Sequence, residues 1–123
     1  MASPEQIRTA IRRYLDAVAT GTAKDIAALY TEDASVEDPV GSTPQRGRVA
    51  IEKFYGAIES KTRSTELQSV RIAGHQAAFG FRVSTEFDGR TTTVEPIDVM
   101  TFDEDARITS MRAFWSYDDI TVH

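Results

Sequence analysis

Two aspartates and three tyrosines stand at positions where their types and spacing could carry proton chemistry. Asp98 lies in the stretch EPIDVMTF, from Glu95 to Phe102, between Ile97 and Val99. Aspartate is depleted from strands, and burying an unpaired carboxylate is costly. Strand side chains alternate between faces, which puts Val94, Asp98, Met100 and Phe102 on one face, with Pro96 between the first two. Thr93, Glu95, Ile97, Val99 and Thr101 fall on the other. Met111, Ala113 and Trp115 alternate along the next segment, so hairpin pairing would bring their face beside Asp98. Desolvation there raises a carboxyl pKa and yields a neutral acid that can donate a hydrogen bond at pH 7. A solvated or salt-bridged carboxylate near a strand end fits the same spacing.

Asp38 sits in VEDPVG, where the following proline favours an extended backbone. A positioned carboxylate at a strand end suits a general base. Asp before Pro is also a common turn dipeptide whose side chain bonds its own backbone. Tyr14, Tyr30 and Tyr55 each fall on the apolar stripe of a different expected helix. Converging phenols would bond in series and polarise one another, whereas separate core tyrosines would each send a hydroxyl to the surface. His75 and His123 are too isolated to suggest a metal site. No G-x-S-x-G elbow exists, and Gly41, Gly47 and Gly56 lie too far apart for a phosphate loop.

Helices must position the phenols. Ser3, Pro4 and Gln6 form a capping-box start, and Ile7, Ile11, Tyr14 and Val18 recur at helical spacing until Gly21. Thr22, three residues before Asp25, opens a shorter helix expected to carry Ile26, Leu29 and Tyr30. A short strand, Ala34 to Glu37, leads into the Asp38–Pro39 loop, and a third helix from about Val49 carries Ile51, Phe54, Tyr55 and Ile58. Period-two segments follow. These are Leu67 to Ala73, then Phe79 to Phe87 with an Asp88–Gly89 hairpin signal, then Thr91 to Phe102 and Arg107 to Trp115. Helices followed by a meander of strands argue for an α+β fold in a single domain, residues 1–123.

The 123 residues carry 41% hydrophobic and 27% charged side chains, an ordinary globular composition. A formal net charge of -5 argues against nucleic acid and anionic membrane surfaces as partners. The absence of cysteine excludes thiolate chemistry and fits a reducing, cytoplasmic setting. MASPEQIRTAIRR lacks the apolar core of a signal peptide, and no apolar run approaches the roughly 20 residues that span a bilayer.

Taken together, several stretches carry a resemblance: RRYLDAV, LYTEDASVEDPVG, GRVAIEKFY, FRV and IDVMTFDEDARITSMRAFWS. From Tyr14 onward the chain resembles the Δ5-3-ketosteroid isomerases, a branch of the NTF2-like (SnoaL-like) superfamily. The resemblance implies a cone-shaped α+β fold, with three N-terminal helices packed on a curved antiparallel β-sheet of mixed strand order. It implies an enzyme that moves the C5=C6 double bond of a 3-oxo-Δ5-steroid to C4=C5 through a dienolate, without cofactor or metal. Asp38 matches the general base, and Tyr14 and a protonated Asp98 match the oxyanion-hole donors; these isomerases are themselves the reference case for a carboxylic acid kept neutral by its site. Tyr55 and Tyr30 match the phenols behind Tyr14. Trp115, Met111, Phe54, Phe79, Phe81 and Met100 match the apolar cleft for the steroid rings, and a homodimer associating through the sheet is implied.

Two other readings share the fold. A polyketide cyclase or epoxide hydrolase would put other residues in the pocket, the latter an Asp–Arg–Asp set, and no arginine falls on the Asp98 face of its strand. A non-catalytic binding module is the third, because fold does not fix function.

Overall fold

The computed structural model describes all residues, 1–123. The Ser3 hydroxyl accepts from Gln6 N while the Gln6 side chain accepts from Ser3 N, and this reciprocal cap opens α1 (Pro4–Thr20). Its buried stripe is Ile7, Ile11, Tyr14, Leu15 and Val18, and Gly21 ends it. Thr22 and Asp25 cap α2 (Ala23–Ala27) in the same way. The third helix, α3 (Arg48–Tyr55), starts without a side-chain cap.

Eight strands follow the chain: β1 (Tyr30–Glu37), β2 (Gln45–Arg46), β3 (Thr62–Ala73), β4 (Gln76–Phe87), β5 (Arg90–Val94), β6 (Ile97–Phe102), β7 (Ile108–Phe114) and β8 (Ile120–Val122). They form one mixed sheet in the order β2-β1-β7-β6-β4-β5-β8, with β3 also pairing β4. Only β1 and β7 run parallel; every other pair is antiparallel. The three helices pack on this curved sheet around a core of 22 buried apolar residues reaching from Ala2 to Ala113.

Three local features differ from the sequence reading, and one segment that it leaves unassigned takes a definite structure. Tyr30 begins β1 rather than ending a helix, because α2 stops at Ala27 and a turn at Ala28 and Leu29 leads into the strand. Ile58 lies in the turns that follow α3. The segment from Thr91 to Phe102 is two strands. Pro96 has no N–H to donate to the ladder, so β5 ends at Val94 and β6 starts at Ile97, while the Pro96 carbonyl accepts from Phe81 N at 3.3 Å. The tail past Ser116 makes a short 3₁₀ turn and then β8, which pairs with β5. The Asp88–Gly89 hairpin is present, both residues taking positive φ, 55° and 77°, as a two-residue primed turn requires.

Candidate active site

Alternation along β6 is strict: Asp98, Met100 and Phe102 are buried, and Ile97, Val99 and Thr101 are not. Asp98 is only 1% exposed, and it is the one buried residue with an ionisable acid group besides the tyrosines. Its neighbours in register are Phe79 on β4 and Ala113 on β7. The small Ala113 side chain leaves open space in front of the carboxyl, and that space is a cavity of about 250 Å³. Tyr14, Asp38, Phe54, Tyr55, Phe81, Pro96, Asp98, Ala113 and Trp115 are among its lining residues.

Asp98 has no hydrogen-bond partner for either oxygen. Desolvation pushes its carboxyl pKa well above the ordinary range, and the nearby Asp38 charge pushes it further. Asp38 is in a different situation. It follows β1 in a loop held by Val40 N donating to Ala113 O at 2.8 Å and Gly41 N donating to Glu37 Oε2 at 2.9 Å. The Trp115 indole donates to Asp38 Oδ1 at 2.7 Å. Burial raises the Asp38 pKa, and the indole bond, which favours the charged form, opposes that rise. The same cavity thus holds one acid stripped of donors and one carboxylate supplied with a donor.

The phenols form a chain. Tyr30 and Tyr55 hydroxyls lie 2.8 Å apart, and Tyr55 and Tyr14 hydroxyls 3.0 Å apart. With Tyr30 donating to Tyr55 and Tyr55 to Tyr14, the Tyr14 proton is free for the cavity. Burial raises all three pKa values, so each phenol stays protonated at neutral pH.

Tyr14, Asp38, Asp98, Tyr55, Phe54, Phe81 and Trp115 therefore meet at one cavity, with Tyr30 behind Tyr55. Met111, Met100 and Phe79 do not line it, a correction to the expected cleft. Met100 and Met111 pair across β6 and β7 one step beyond Asp98 and Ala113, at 0% and 1% exposure, and face the helix-packed core. Phe79 packs edge-on against the Tyr14 ring at 6.4 Å and is itself buried in the core. Sequence reasoning gave Trp115 only an apolar role and missed its bond to Asp38. It also missed Arg63, which reaches the cavity from β3. Arg63 bonds the backbone carbonyls of Gly21 and Lys61 and pairs with neither aspartate, so no Asp–Arg–Asp set forms.

A model of the SnoaL-like domain matches residues 11–111. The chain is 58% identical over 118 residues to a steroid Delta-isomerase of Nocardioides simplex, covering 95% of each. Among solved structures it superposes on SalBIII, an epoxide hydrolase/cyclase-like enzyme of pyran ring formation in polyether salinomycin, with a TM-score of 0.91 at 24% identity over the whole of both chains. A Delta 5-3-ketosteroid isomerase from Mycobacterium sp. superposes with a TM-score of 0.86 at 23% identity, covering 96% of this chain and 98% of that one.

Proposed function

The chain belongs to the SnoaL-like (NTF2-like) family, and we propose that Asp38, Tyr14 and Asp98 are the groups with which it moves the C5=C6 double bond of a 3-oxo-Δ5-steroid to C4=C5. It is an isomerase of the steroid Delta-isomerase kind, as its 58% identity over 95% of the chain to the Nocardioides simplex enzyme supports. The observation that carries the residue assignment is the pair of unlike carboxyls in one apolar cavity.

Asp38, ionised, takes the proton from the carbon between the ketone and the alkene. The electron pair left behind spreads into a dienolate, with the negative charge on the ketone oxygen. The now neutral Asp38 returns the proton two carbons further along, and the enone is conjugated. No proton is gained or lost overall, so one carboxylate serves both steps. Its bond from Trp115 fixes the carboxylate while leaving the second oxygen for the substrate.

Tyr14 and neutral Asp98 supply the donors for the dienolate oxygen. Both are in place in an apolar cavity before the substrate arrives, so little reorganisation accompanies the reaction. An ionised Asp98 would repel the oxygen instead, which is the reason for an acid on an apolar face.

The same reading takes residues 1–123 as one domain, consistent with a single apolar core. No helix is long and apolar enough to cross a membrane, and the cysteine-free chain suits a cytoplasmic setting. We also propose a homodimer through the outer sheet face, where Ile97 and Phe114 pair across β6 and β7, 52% and 43% exposed.

Mixing the protein with 5-androstene-3,17-dione and following enone absorbance in the ultraviolet tests the assignment. Wild type gives a rapid rise. Asp38→Asn loses roughly a thousandfold or more in turnover while retaining steroid affinity, a loss in the range of general-base catalysis. Unchanged turnover in Asp38→Asn would remove Asp38 as the base.

A further inference from the structure

The isomerase mechanism leaves one charged side chain of the cavity without a task. Four buried side-chain polar atoms have no hydrogen-bond partner: Arg48 Nε, Arg63 Nη1 and the two oxygens of Asp98. Asp98 and Arg63 both line the cavity, and Arg48 does not. An orphaned donor on a charged group is expensive to bury, and an acceptor oxygen on a substrate would relieve that cost.

Arg63 is held firmly. Its Nε donates to Lys61 O at 3.2 Å and its Nη2 to Gly21 O at 2.9 Å, and no carboxylate pairs with it. Two of its three nitrogens therefore tie the start of β3 to the end of α1, and the third is unused.

Its location is the far end of the cavity. Arg63 pairs in register with Thr85 on β4, whereas Asp98 pairs with Phe79, six residues back along the same strand. That separation is roughly 20 Å of extended chain, from which the length of the arginine side chain can take back a part. Three elements run the same way. Along α1 the lining passes from Tyr14 to Val18, after α3 from Tyr55 to Ile58, and along β4 from Phe81 to Thr85. The cavity is thus an apolar passage with the neutral acid and phenol at one end and a guanidinium at the other.

We propose that Arg63 is a specificity-determining residue, reading a neutral acceptor oxygen on the substrate at the end of the ring system remote from the reacting ketone. The proposal rests on the isomerase reading, since it takes the reacting ketone to lie at Tyr14 and Asp98. A ketone oxygen suits the site better than a carboxylate, because an ionised Asp38 lines the same passage and the chain is acidic overall, with a net charge of -5. Bonds from a charged donor are the stronger class, so one such contact suffices to rank substrates.

The test compares kcat/KM for 5-androstene-3,17-dione and for 5-androsten-3-one, which lacks the remote ketone, in wild type, Arg63→Lys and Arg63→Met. Wild type prefers the dione by roughly ten- to a hundredfold, the worth of one charge-assisted hydrogen bond. The preference lies mainly in KM, because the contact is equally present before and during the chemistry. Arg63→Met brings the ratio close to one, and Arg63→Lys keeps part of it. A wild-type ratio near one overturns the inference, and this measurement decides even where a variant does not fold. So does an Arg63→Met that lowers both substrates alike with the ratio intact, which would make Arg63 a tie between β3 and α1 only. Equal turnover of both substrates leaves the isomerase reading standing, whereas turnover of neither removes both.

Discussion

Asp98 and Asp38 differ in what surrounds each oxygen, and that difference raises the Asp98 pKa well above the ordinary value while the Trp115 bond opposes the rise at Asp38. Asp98 is buried among apolar side chains with nothing donating to it, while Asp38 is half-buried and bonded by the Trp115 indole. The stability consequence has a definite sign. In the unfolded chain Asp98 ionises near the ordinary value of about 4, but folding raises its pKa well above that. Below the unfolded pKa both states hold the proton and burial of the neutral acid carries no pH-dependent penalty. As pH rises above it, the folded state keeps a proton that the unfolded state has released, so stability falls by about 1.4 kcal/mol per pH unit until the folded pKa is reached. Asp98→Asn lacks this slope, so its melting temperature gains on wild type between pH 4 and pH 7; parallel melting curves across that range would count against a protonated Asp98. In activity, Asn still donates and Leu does not. Asp98→Leu therefore loses about a hundred- to a thousandfold in kcat, and Asp98→Asn distinctly less. Equal losses from the two would sink the donor role. The rate also falls as pH drops through the Asp38 pKa, and that acid limb lies higher than for a free aspartate because burial raises the group, with the Trp115 bond opposing the rise.

At the scale of elements, α1, β1 and α3 each deliver one phenol to the same point. Tyr55 on α3 bonds both others, at 3.0 Å to Tyr14 and 2.8 Å to Tyr30, and so orients the Tyr14 hydroxyl. Removing the Tyr55 hydroxyl deletes two buried hydrogen bonds, worth about 1–3 kcal/mol of stability together. Tyr55→Phe should therefore shift the urea midpoint downward while costing kcat less than tenfold, and Tyr14→Phe should cost about a hundredfold or more. Equal kinetic losses would mean that Tyr14 is no more a direct donor than Tyr55. Much of this geometry was legible in the chain. Asp98 announced itself because period-two alternation put it on the face of Met100 and Phe102, and the capping residues Ser3 and Thr22 marked two helix starts. Tyr30 was misplaced on a helix because Ile26, Leu29 and Tyr30 keep helical spacing across the boundary into β1. The Trp115–Asp38 bond joins residues 77 apart, and no local pattern encodes such a pair. Arg63 was hidden for the opposite reason, since an arginine in the polar run TRST reads as a solvated strand end until β4 and α1 close over it.

For the molecule as a whole, one sheet face lines the cavity and the other exposes Ile97 and Phe114. Alternation that buries Asp98 turns Ile97 and Phe114 outward, where they lie in register on β6 and β7. The Arg112 guanidinium sits over the Phe114 ring at 5.3 Å and bonds Glu37 at 3.1 Å, so charge borders the patch. An apolar centre with a charged rim is the anatomy of a protein interface, and a stable one needs about 800 Å² from each partner. Association through β6 and β7 would also press on the backbone that holds Asp98 and Ala113, coupling assembly to the rigidity of the site. Wild type should therefore sediment at twice its 13.6 kDa chain mass, with a melting temperature that rises with protein concentration. Phe114→Glu places a carboxylate against its symmetry copy and should yield the monomer, with a concentration-independent and lower melting temperature. Should wild type itself sediment as a monomer at micromolar concentration, the outer face is not a dimer interface, and the rigidity of Asp98 must come from the paired strands of a single chain.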